Sequence, residues 1–438
     1  MTHRLTLLPL VLLFAFSTCA KKEEENSSPP KVEKGKPASP NAKKSVKPKG
    51  KGKPHPPRPL TRAQFNAIAA KLNLPLFWMQ DANGNNVLDP PELATLLFYD
   101  DQGPYVVKGA FTPVFKAALK RIRLFQANPF PAGLSKTEIA RRTLVMKDLD
   151  QGRPTLVYTD ATKFSPEERL FMNRMYKVSR LIDQLYAIQN GTAGLEKRIP
   201  AGDTASRRLL ARNLSTKCVA PATEKDSACT ALPGVTPLSG VYPVSLTKGD
   251  SKRTFCKKLA DLDKKIKDEK KQLLYQFNVV REEKGSYVAV PYTTAFKALT
   301  TPISAELKSA AQLLKDPKEA ALKAYLLAAA QAFLDNDWYR ADAKWVAMNA
   351  LNSKWYLRVG PDEVYWDPCN RKAGFHFTFS RINPASIRWQ KKIEPIKNDM
   401  EKALATLIGA PYKARKIGLH LPDFIDIVTN AGNDRSPL

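Results

Sequence analysis

The sequence predicts a mainly α fold with a small late β-sheet, an α+β architecture, behind a signal peptide and a disordered linker. Over residues 61–350, apolar side chains recur at helical spacing, which indicates a mainly helical domain. From 351 to 438, short runs alternate aromatic and polar residues, which indicates strands. No stretch is apolar and long enough to span a bilayer as a helix, and we find no internal repeat.

Residues 1–19 have the organisation of an export signal. A basic start, Met1 to Arg4, precedes an apolar run that ends shortly before Cys19. The segment resembles a bacterial lipoprotein signal, in which cleavage leaves a lipid-modified cysteine, here Cys19, at the new N-terminus. This predicts a protein exported to the bacterial cell envelope and held to the membrane by a lipid anchor. An ordinary signal peptide cut nearby and an uncleaved anchor are the alternatives.

Residues 20–60 form the predicted linker. They are rich in Lys, Pro, Ser and Gly and contain too little apolar surface to offset the entropy of folding. The segment is strongly basic, and the whole chain has a formal net charge of +28. A solvated spacer is the simplest interpretation, and binding to a polyanion of the cell envelope is the alternative. Nucleic acid is not expected as a partner, because no zinc-finger spacing or aromatic RNA-binding motif accompanies the charge.

A twelve-residue segment near the start of the helical domain, 81–92, has the ligand spacing of an EF-hand calcium loop. Oxygen-bearing side chains stand at loop positions one, three, five and nine, position seven offers its carbonyl, and a carboxylate closes position twelve. In this sequence the predicted calcium ligands are Asp81, Asn83, Asn85, Val87, Asp89 and Glu92. Calcium is therefore the expected cofactor, bound at a site without a second loop to pair with.

The loop departs from the usual pattern in two ways. Asn86 stands where the sharp turn favours Gly, although Asn tolerates the left-handed conformation better than other residues. Pro75 leaves the incoming helix little more than one unbroken turn, whereas Pro90 and Pro91 suit the start of an outgoing helix. An Asx-rich turn before a helix, with Asp89 as the N-cap of that helix, is the alternative to a cation site.

The remaining helices follow from apolar periodicity and from start signals. Ser165-Pro-Glu-Glu, for example, places a capping residue, a proline and two acids at a helix start. Pro, Gly, Thr and Ser throughout 215–250 predict irregular structure, and the charged run that follows predicts one long helix. The predicted helices cover 61–72, 110–126, 137–146, 165–189, 203–213, 252–283, 305–315, 318–334, 338–351 and 384–408.

The late part of the chain contains the predicted sheet. We expect strands over 355–360 and 375–382, the second half-buried because its aromatic residues alternate with polar ones. A short strand over 417–420 and an apolar segment over 424–428 follow. His376 lies within the aromatic strand and is expected to be packed or surface-facing, and His420 is expected to be structural.

Five cysteines are present. Cys218 and Cys229 lie eleven residues apart in the irregular stretch, and in an oxidising compartment we expect them to form a local disulfide. Cys256 and Cys369 either pair with each other or stay buried as thiols. No two cysteines have the spacing of a zinc site.

The residues alone predict a binding module and no enzyme. Only His376 and His420 lie in the body, and no His-Glu-x-x-His, nucleophile elbow or phosphate-binding Gly loop occurs. Residues 353–369 nevertheless resemble the segment of dipeptidyl-peptidase III-type zinc peptidases that approaches the amino end of the substrate, where Glu-x-Tyr is followed by Asp-Pro. The matching residues are Glu363, Tyr365 and Asp367-Pro368. Segments 76–85 and 421–435 are also similar to this family.

The resemblance implies that Glu363 pairs with the ammonium group of a peptide ligand and that Tyr365 hydrogen-bonds the bound peptide. A Glu and a Tyr two residues apart on a strand would lie on one face. The family's zinc motif, His-Glu-x-x-Gly-His, is absent from the sequence, so zinc is not expected in this chain and the chain alone is predicted inactive. A separately encoded catalytic half is one expected partner. A non-enzymatic calcium-binding surface lipoprotein is the alternative function.

Overall fold

The computed structural model describes residues 59–96, 103–157, 159, 161, 163–247, 252–418 and 423–433. The predicted signal peptide, Cys19, almost all of the linker and His420 lie outside these residues. Within them the predicted mainly α fold with small antiparallel sheets is confirmed. None of the described helices combines the length and apolarity needed to cross a bilayer.

The first part of the fold packs two helices against a short hairpin. Helix α1 starts at a capping box formed by Thr61 and Gln64. The predicted helix over 110–126 starts late, at Pro113, because the two residues from Ala110 pair as a strand and Thr112 caps the helix. The elements are α1 (Arg62–Lys71), β1 (Leu76–Trp78), β2 (Leu93–Thr95), β3 (Val106–Val107), β4 (Ala110–Phe111) and α2 (Pro113–Ala127). Their shared core contains Phe65, Trp78, Phe115 and Ile122.

A second cluster joins α3 (Lys136–Asp150) and α5 (Thr204–Asn213) to the irregular stretch after residue 215. The predicted Cys218–Cys229 disulfide is present. Asp148 organises this stretch: its fully buried carboxylate pairs with Arg212 and accepts hydrogen bonds from Val219 N (3.1 Å), Ala220 N (3.0 Å) and the Thr223 hydroxyl (2.7 Å).

The main core lies between a group of long helices and the late sheet. Helix α4 buries Phe171, Met175, Val178 and Ile182, residues spaced three or four apart. Helix α9 begins eight residues before the predicted start, with Pro302 inside it, because its buried face continues to Thr300. The helices of this group are α4 (Pro166–Gln189), α9 (Lys297–Leu313), α10 (Ala320–Asp335) and α11 (Trp338–Trp345).

The prediction of one long helix over 252–283 is wrong. Helix α7 (Lys252–Asp263), which follows the single turn α6 (Val244–Thr247), ends where the Asp263 carboxylate accepts hydrogen bonds from Leu273 N (2.6 Å) and Leu274 N (2.9 Å). The chain then forms a hairpin, β5 (Asn278–Glu283) and β6 (Ser286–Pro291), followed by the single turn α8 (Tyr292–Ala295). Lys284 and Gly285 turn the hairpin with φ of 49° and 80°. The long charged run concealed this Lys-Gly turn signal.

The late sheet has three antiparallel strands in the order β7 (Trp355–Glu363), β8 (Gly374–Ile382), β9 (Ile425–Gly432). Both predicted strands are confirmed, and all but the first residue of the apolar segment at 424–428 lies in β9. The prediction that 375–382 is half-buried is wrong, since β8 is the central strand and is covered on both faces. Phe375 and Ser380 are both fully buried, and His376 is packed. Residues 417 and 418 are not in a strand.

The predicted helix over 384–408 is two helices. Helix α12 (Ala385–Ile393) and helix α13 (Lys397–Ile408) are separated by a 3₁₀ turn over Glu394–Ile396. Pro395 has no N–H to continue the first helix, which explains the break.

Candidate functional site

The candidate calcium loop, residues 81–92, closes a β-hairpin. The loop connects β1 to β2, which are antiparallel. Leu76 lies opposite Thr95 at one end of the pairing, and Trp78 lies opposite Leu93 at the other. The predicted flanking helices are therefore wrong. Helix α1 ends at Lys71, and the predicted outgoing helix is a 3₁₀ turn over Pro90–Glu92 that leads into β2. Alternate burial of Leu76 and Trp78 explains why a strand forms before the loop.

Glu92, the closing carboxylate, is the most buried predicted ligand. Its Oε1 accepts a hydrogen bond from Ala82 N (2.6 Å), and its Oε2 accepts from Trp78 Nε1 (3.1 Å) and Asp89 N (3.2 Å). The carboxylate is thus already held in place by three donors. These hydrogen bonds hold both ends of the loop together without a cation.

The other predicted ligands face one another across the loop. Asn83 and Asn85 both donate from their side-chain amides to Asp89 Oδ2, at 2.8 and 3.0 Å. Asp81 Oδ2 accepts from Asn86 N at 3.0 Å, and Asn86 has the left-handed conformation that its position requires, with φ of 56°. Asp81 Oδ1 is buried and has no hydrogen-bond partner among the described residues.

These contacts fit a hard cation in part. A buried carboxylate oxygen without a donor is costly, and a cation would compensate it. The amide N–H groups of Asn83 and Asn85 now donate to the Asp89 carboxylate, where a cation would take their place. If each amide rotated by half a turn, its oxygen would face the cation instead. The oxygens of Asp81, Asp89 and Glu92 do not all lie within 4.8 Å of one another, so the loop would have to contract around the ion.

The predicted peptide contacts, Glu363 and Tyr365, are both exposed, Tyr365 by 71%. Glu363 is the last residue of β7, where a bulge between Pro361 and Glu363 interrupts the pairing with β8. The expectation that both side chains lie on one face of a strand is wrong, because Tyr365 follows the strand end in a turn. We call residues 364–372 the β7–β8 turn.

The β7–β8 turn is held in place by the buried carboxylate of Asp367. Its Oδ2 accepts hydrogen bonds from the Tyr242 hydroxyl (3.1 Å) and from the backbone N–H groups of Cys369 (3.1 Å), Arg371 (3.0 Å) and Lys372 (3.3 Å). Burial raises the pKa of Asp367, and these donors oppose that rise. Asp367-Pro368 in the recognised pattern therefore shapes the turn that carries Tyr365.

Two further links tie the turn to its surroundings. Lys372 is fully buried, donates to the carbonyls of Leu273 and Tyr275, and has its pKa lowered by burial to about 7. Cys369 forms a disulfide with Cys256 of α7, which resolves the two alternatives that the sequence left open. A polar cleft of about 540 Å³ borders the turn and is lined by residues that include Val364, Asn370, Arg371, Gln276 and Tyr339.

Sequence reasoning missed an ionic cluster beside Glu363. Arg358 pairs with Asp342 and with Asp362 (3.0 Å), and His376 Nδ1 lies 3.6 Å from Asp362 Oδ2. Burial raises the pKa of Asp362, but the hydrogen bonds and charge of Arg358 lower it below its usual value. The available signal was the four-residue separation of Arg358 and Asp362, which places them on one face of a strand.

The described residues contain one further group with the composition of a metal site, Asp148 with Cys218 and Cys229. Both sulfurs belong to a disulfide, so neither offers a thiolate. Asp148 is satisfied by Arg212 and by its backbone donors. This group is a structural cluster.

Comparisons with known proteins bear on the fold of the chain. No family model matches the chain. Nudix hydrolase 3 of Arabidopsis thaliana is 28% identical over 153 residues, which cover 34% of this chain and 18% of that protein. The structure is similar to those of dipeptidyl-peptidase III from Caldithrix abyssi (TM-score 0.54, 22% identity, 66% of this chain) and from Corallococcus sp. strain EGB (TM-score 0.51, 21% identity, 67% of this chain).

The match covers 54% of each of those two chains, so this chain spans about half the length of the solved structures it matches. At this level of identity the similarity concerns the fold. Over about two thirds of its length, the chain has a dipeptidyl-peptidase III-like fold.

Proposed function

We propose that this chain is the peptide-binding part of an exported dipeptidyl-peptidase III-type metallopeptidase. In this proposal Glu363 pairs with the ammonium group of a peptide, and Tyr365 hydrogen-bonds the peptide beside it. The zinc-binding motif is absent from this sequence, so hydrolysis depends on residues that another segment or chain supplies.

The single observation that supports this proposal is the placement of Glu363. In a dipeptidyl-peptidase III-like fold, it presents an exposed carboxylate at the end of a buried strand. The adjoining turn is fixed by Asp367, by Lys372 and by a disulfide, and it borders a cleft. An exposed carboxylate next to a fixed turn suits a peptide ammonium, because charge-assisted hydrogen bonds are strong.

We expect Glu363→Gln to weaken the binding of tetra-alanine by about tenfold, because a hydrogen bond between charged groups contributes about 1.5 kcal/mol. The amide keeps the size of the side chain and removes the charge that the ammonium requires. Isothermal titration calorimetry of the purified chain with the free peptide measures the effect.

N-acetylated tetra-alanine, which has no ammonium group, should bind the unsubstituted chain as weakly as the free peptide binds Glu363→Gln. Glu283→Gln, which changes an exposed carboxylate at the end of β5, is the matched control and should leave the affinity unchanged. Equal affinities for the free and the acetylated peptide would exclude Glu363 as the ammonium partner.

The calcium loop is a second proposal, supported by the unpartnered buried oxygen of Asp81. We propose that Ca²⁺ binds at 81–92 and stabilises the β1–β2 hairpin. Asp81 and Glu92 would supply charge, Asn83 and Asn85 their amide oxygens, Val87 its carbonyl, and Asp89 an oxygen directly or through water.

Calcium at about 100 times its dissociation constant should raise the melting temperature by about 5 °C, because a ligand that binds only the folded state stabilises it. Asp81→Asn should abolish this rise with little effect on the calcium-free protein, since Asp81 Oδ1 has no partner to lose. Glu92→Gln is less selective, because Glu92 holds the loop through three hydrogen bonds. Scanning calorimetry with and without calcium measures both effects.

Asp261→Asn, at an exposed carboxylate of α7, is the control and should retain the full rise. A calcium-dependent rise that survives Asp81→Asn would place the ion elsewhere.

Export is supported by the two disulfides, which form in oxidising compartments. Lipid attachment at Cys19 remains part of the proposal.

A further inference from the structure

Helix α13 exposes the side that a helix of a globular protein normally buries. Of its twelve residues, the buried one is Glu401, which binds the Tyr412 hydroxyl at 2.6 Å and Arg415 Nε at 3.0 Å. Its large apolar residues are exposed instead: Leu407 by 85%, Met400 by 55% and Leu404 by 43%. Glu401 therefore packs on the segment that follows the helix, and the apolar side faces solvent.

The exposed residues form one continuous stripe. Met400, Leu404 and Leu407 are separated by four and three residues, so they follow one face of the helix, and Ile396, in the 3₁₀ turn just before it, lies four residues ahead of Met400. Ile408 extends the same face and is also exposed. We call these five residues the α13 stripe. Apolar side chains scattered singly over a surface are ordinary, but a contiguous stripe of this kind marks an interaction site.

The surroundings of the α13 stripe are basic. Residues 385–418 contain eight Lys and Arg against three Asp and Glu. The acids there have nearby cations: Asp399 pairs with Lys402, Glu394 with Lys397, and Glu401 with Arg415. The unbalanced cations, which lie on α12 and in the segment after α13, therefore favour a partner surface with an acidic rim around an apolar centre.

We propose that the α13 stripe docks the remainder of the dipeptidyl-peptidase III-like fold, the part for which this chain has no counterpart. The expected partner surface has an apolar centre and an acidic rim. The basis is the coverage: this chain matches 54% of each solved structure, so nearly half of each has no equivalent here, and an apolar helix face is left uncovered. This inference rests on the proposed function, because it assigns the surface that would receive the catalytic part.

Site-specific photo-crosslinking in the cells that make the protein tests the docking. p-Benzoylphenylalanine replaces Leu404, and mass spectrometry identifies the crosslinked peptide. The matched control places the same residue at Lys402, which is exposed and lies about 200° around the helix from Leu404. We expect a crosslink at 404, and none at 402, to a polypeptide that aligns with the unmatched part of dipeptidyl-peptidase III.

Leu407→Glu in the crosslinking chain should lower the yield at 404 by about tenfold, since it places a charge against an apolar partner. It should leave the melting temperature unchanged, because Leu407 is exposed in this structure. A crosslink to a second copy of the chain, a crosslink to lipid, equal yields at 402 and 404, or no crosslink would each overturn the proposal. Peptide binding by the isolated chain is measured separately, so failure of the docking and failure of the Glu363 contact are distinguishable.

Discussion

Replacing Cys256 and Cys369 together by serine should lower the free energy of unfolding by about 5 kcal/mol, as expected when a cross-link that closes a loop of this length is lost. The two cysteines are 113 residues apart, so the bond removes much of the conformational freedom of the unfolded chain. Urea denaturation of the oxidised protein and of the double variant measures the difference.

The second disulfide is a matched control within the same chain. Cys218 and Cys229 are 11 residues apart, and the same entropic argument gives a loss of about 3 kcal/mol for their double serine variant. The two variants should also differ in function. Loss of the Cys256–Cys369 bond frees the β7–β8 turn and should weaken peptide binding, whereas loss of the other bond should not. Equal losses of stability would contradict the loop-length argument.

The stability of the folded chain should rise between pH 7 and pH 9 because of Lys372. Burial lowers the pKa of this amine to about 7, and the negative charges of Asp367 and Asp263 counteract burial only in part. An unfolded lysine has a pKa of about 10.4. Between the two values the unfolded chain binds more protons than the folded chain, so the free energy of unfolding increases with pH.

The expected contribution of Lys372 over this range is about 2–3 kcal/mol. Lys372→Met should remove it, so the difference in unfolding free energy between the two proteins should change by that amount from pH 7 to pH 9. The variant also leaves the carbonyls of Leu273 and Tyr275 without their donor. This second effect lowers the stability of the variant by the same amount at every pH, so it adds nothing to the pH dependence of the difference. Lys264→Met, at an exposed lysine, should keep the slope of the unsubstituted chain. A difference that is independent of pH would contradict the assignment.

Sequence patterns predicted those elements whose local signals agree with their packing. Helix α4 has a capping box, an N-terminal proline and a regular apolar face, and its predicted bounds were correct to within a residue. Strand β8 was located correctly, but its burial was not, because alternation alone does not reveal whether a strand is central. The error over 252–283 has a similar cause, since charge suggested a helix face while the buried pair Val279 and Val280 belonged to a strand.

The candidate sites also contain some features that local sequence patterns predict and others that they do not. The spacing of the 81–92 segment predicted the left-handed conformation of Asn86, because the residues of one loop lie close together in sequence. It did not reveal that strands flank the loop, since β1 pairs with β2 across the loop itself. The supports of the β7–β8 turn are more distant: Tyr242 and Leu273 precede the turn by about a hundred residues. No local pattern connects such partners.

The hairpin setting of the 81–92 loop determines what occupancy there would change. A loop between two helices can reorient them, but β1 and β2 already have a fixed register and no such freedom. A cation would instead reduce the rate at which the hairpin opens locally, and so the exposure of its backbone to proteases and to hydrogen exchange. If the chain is exported and binds calcium as proposed, the ion would prolong its survival among proteases without altering its shape.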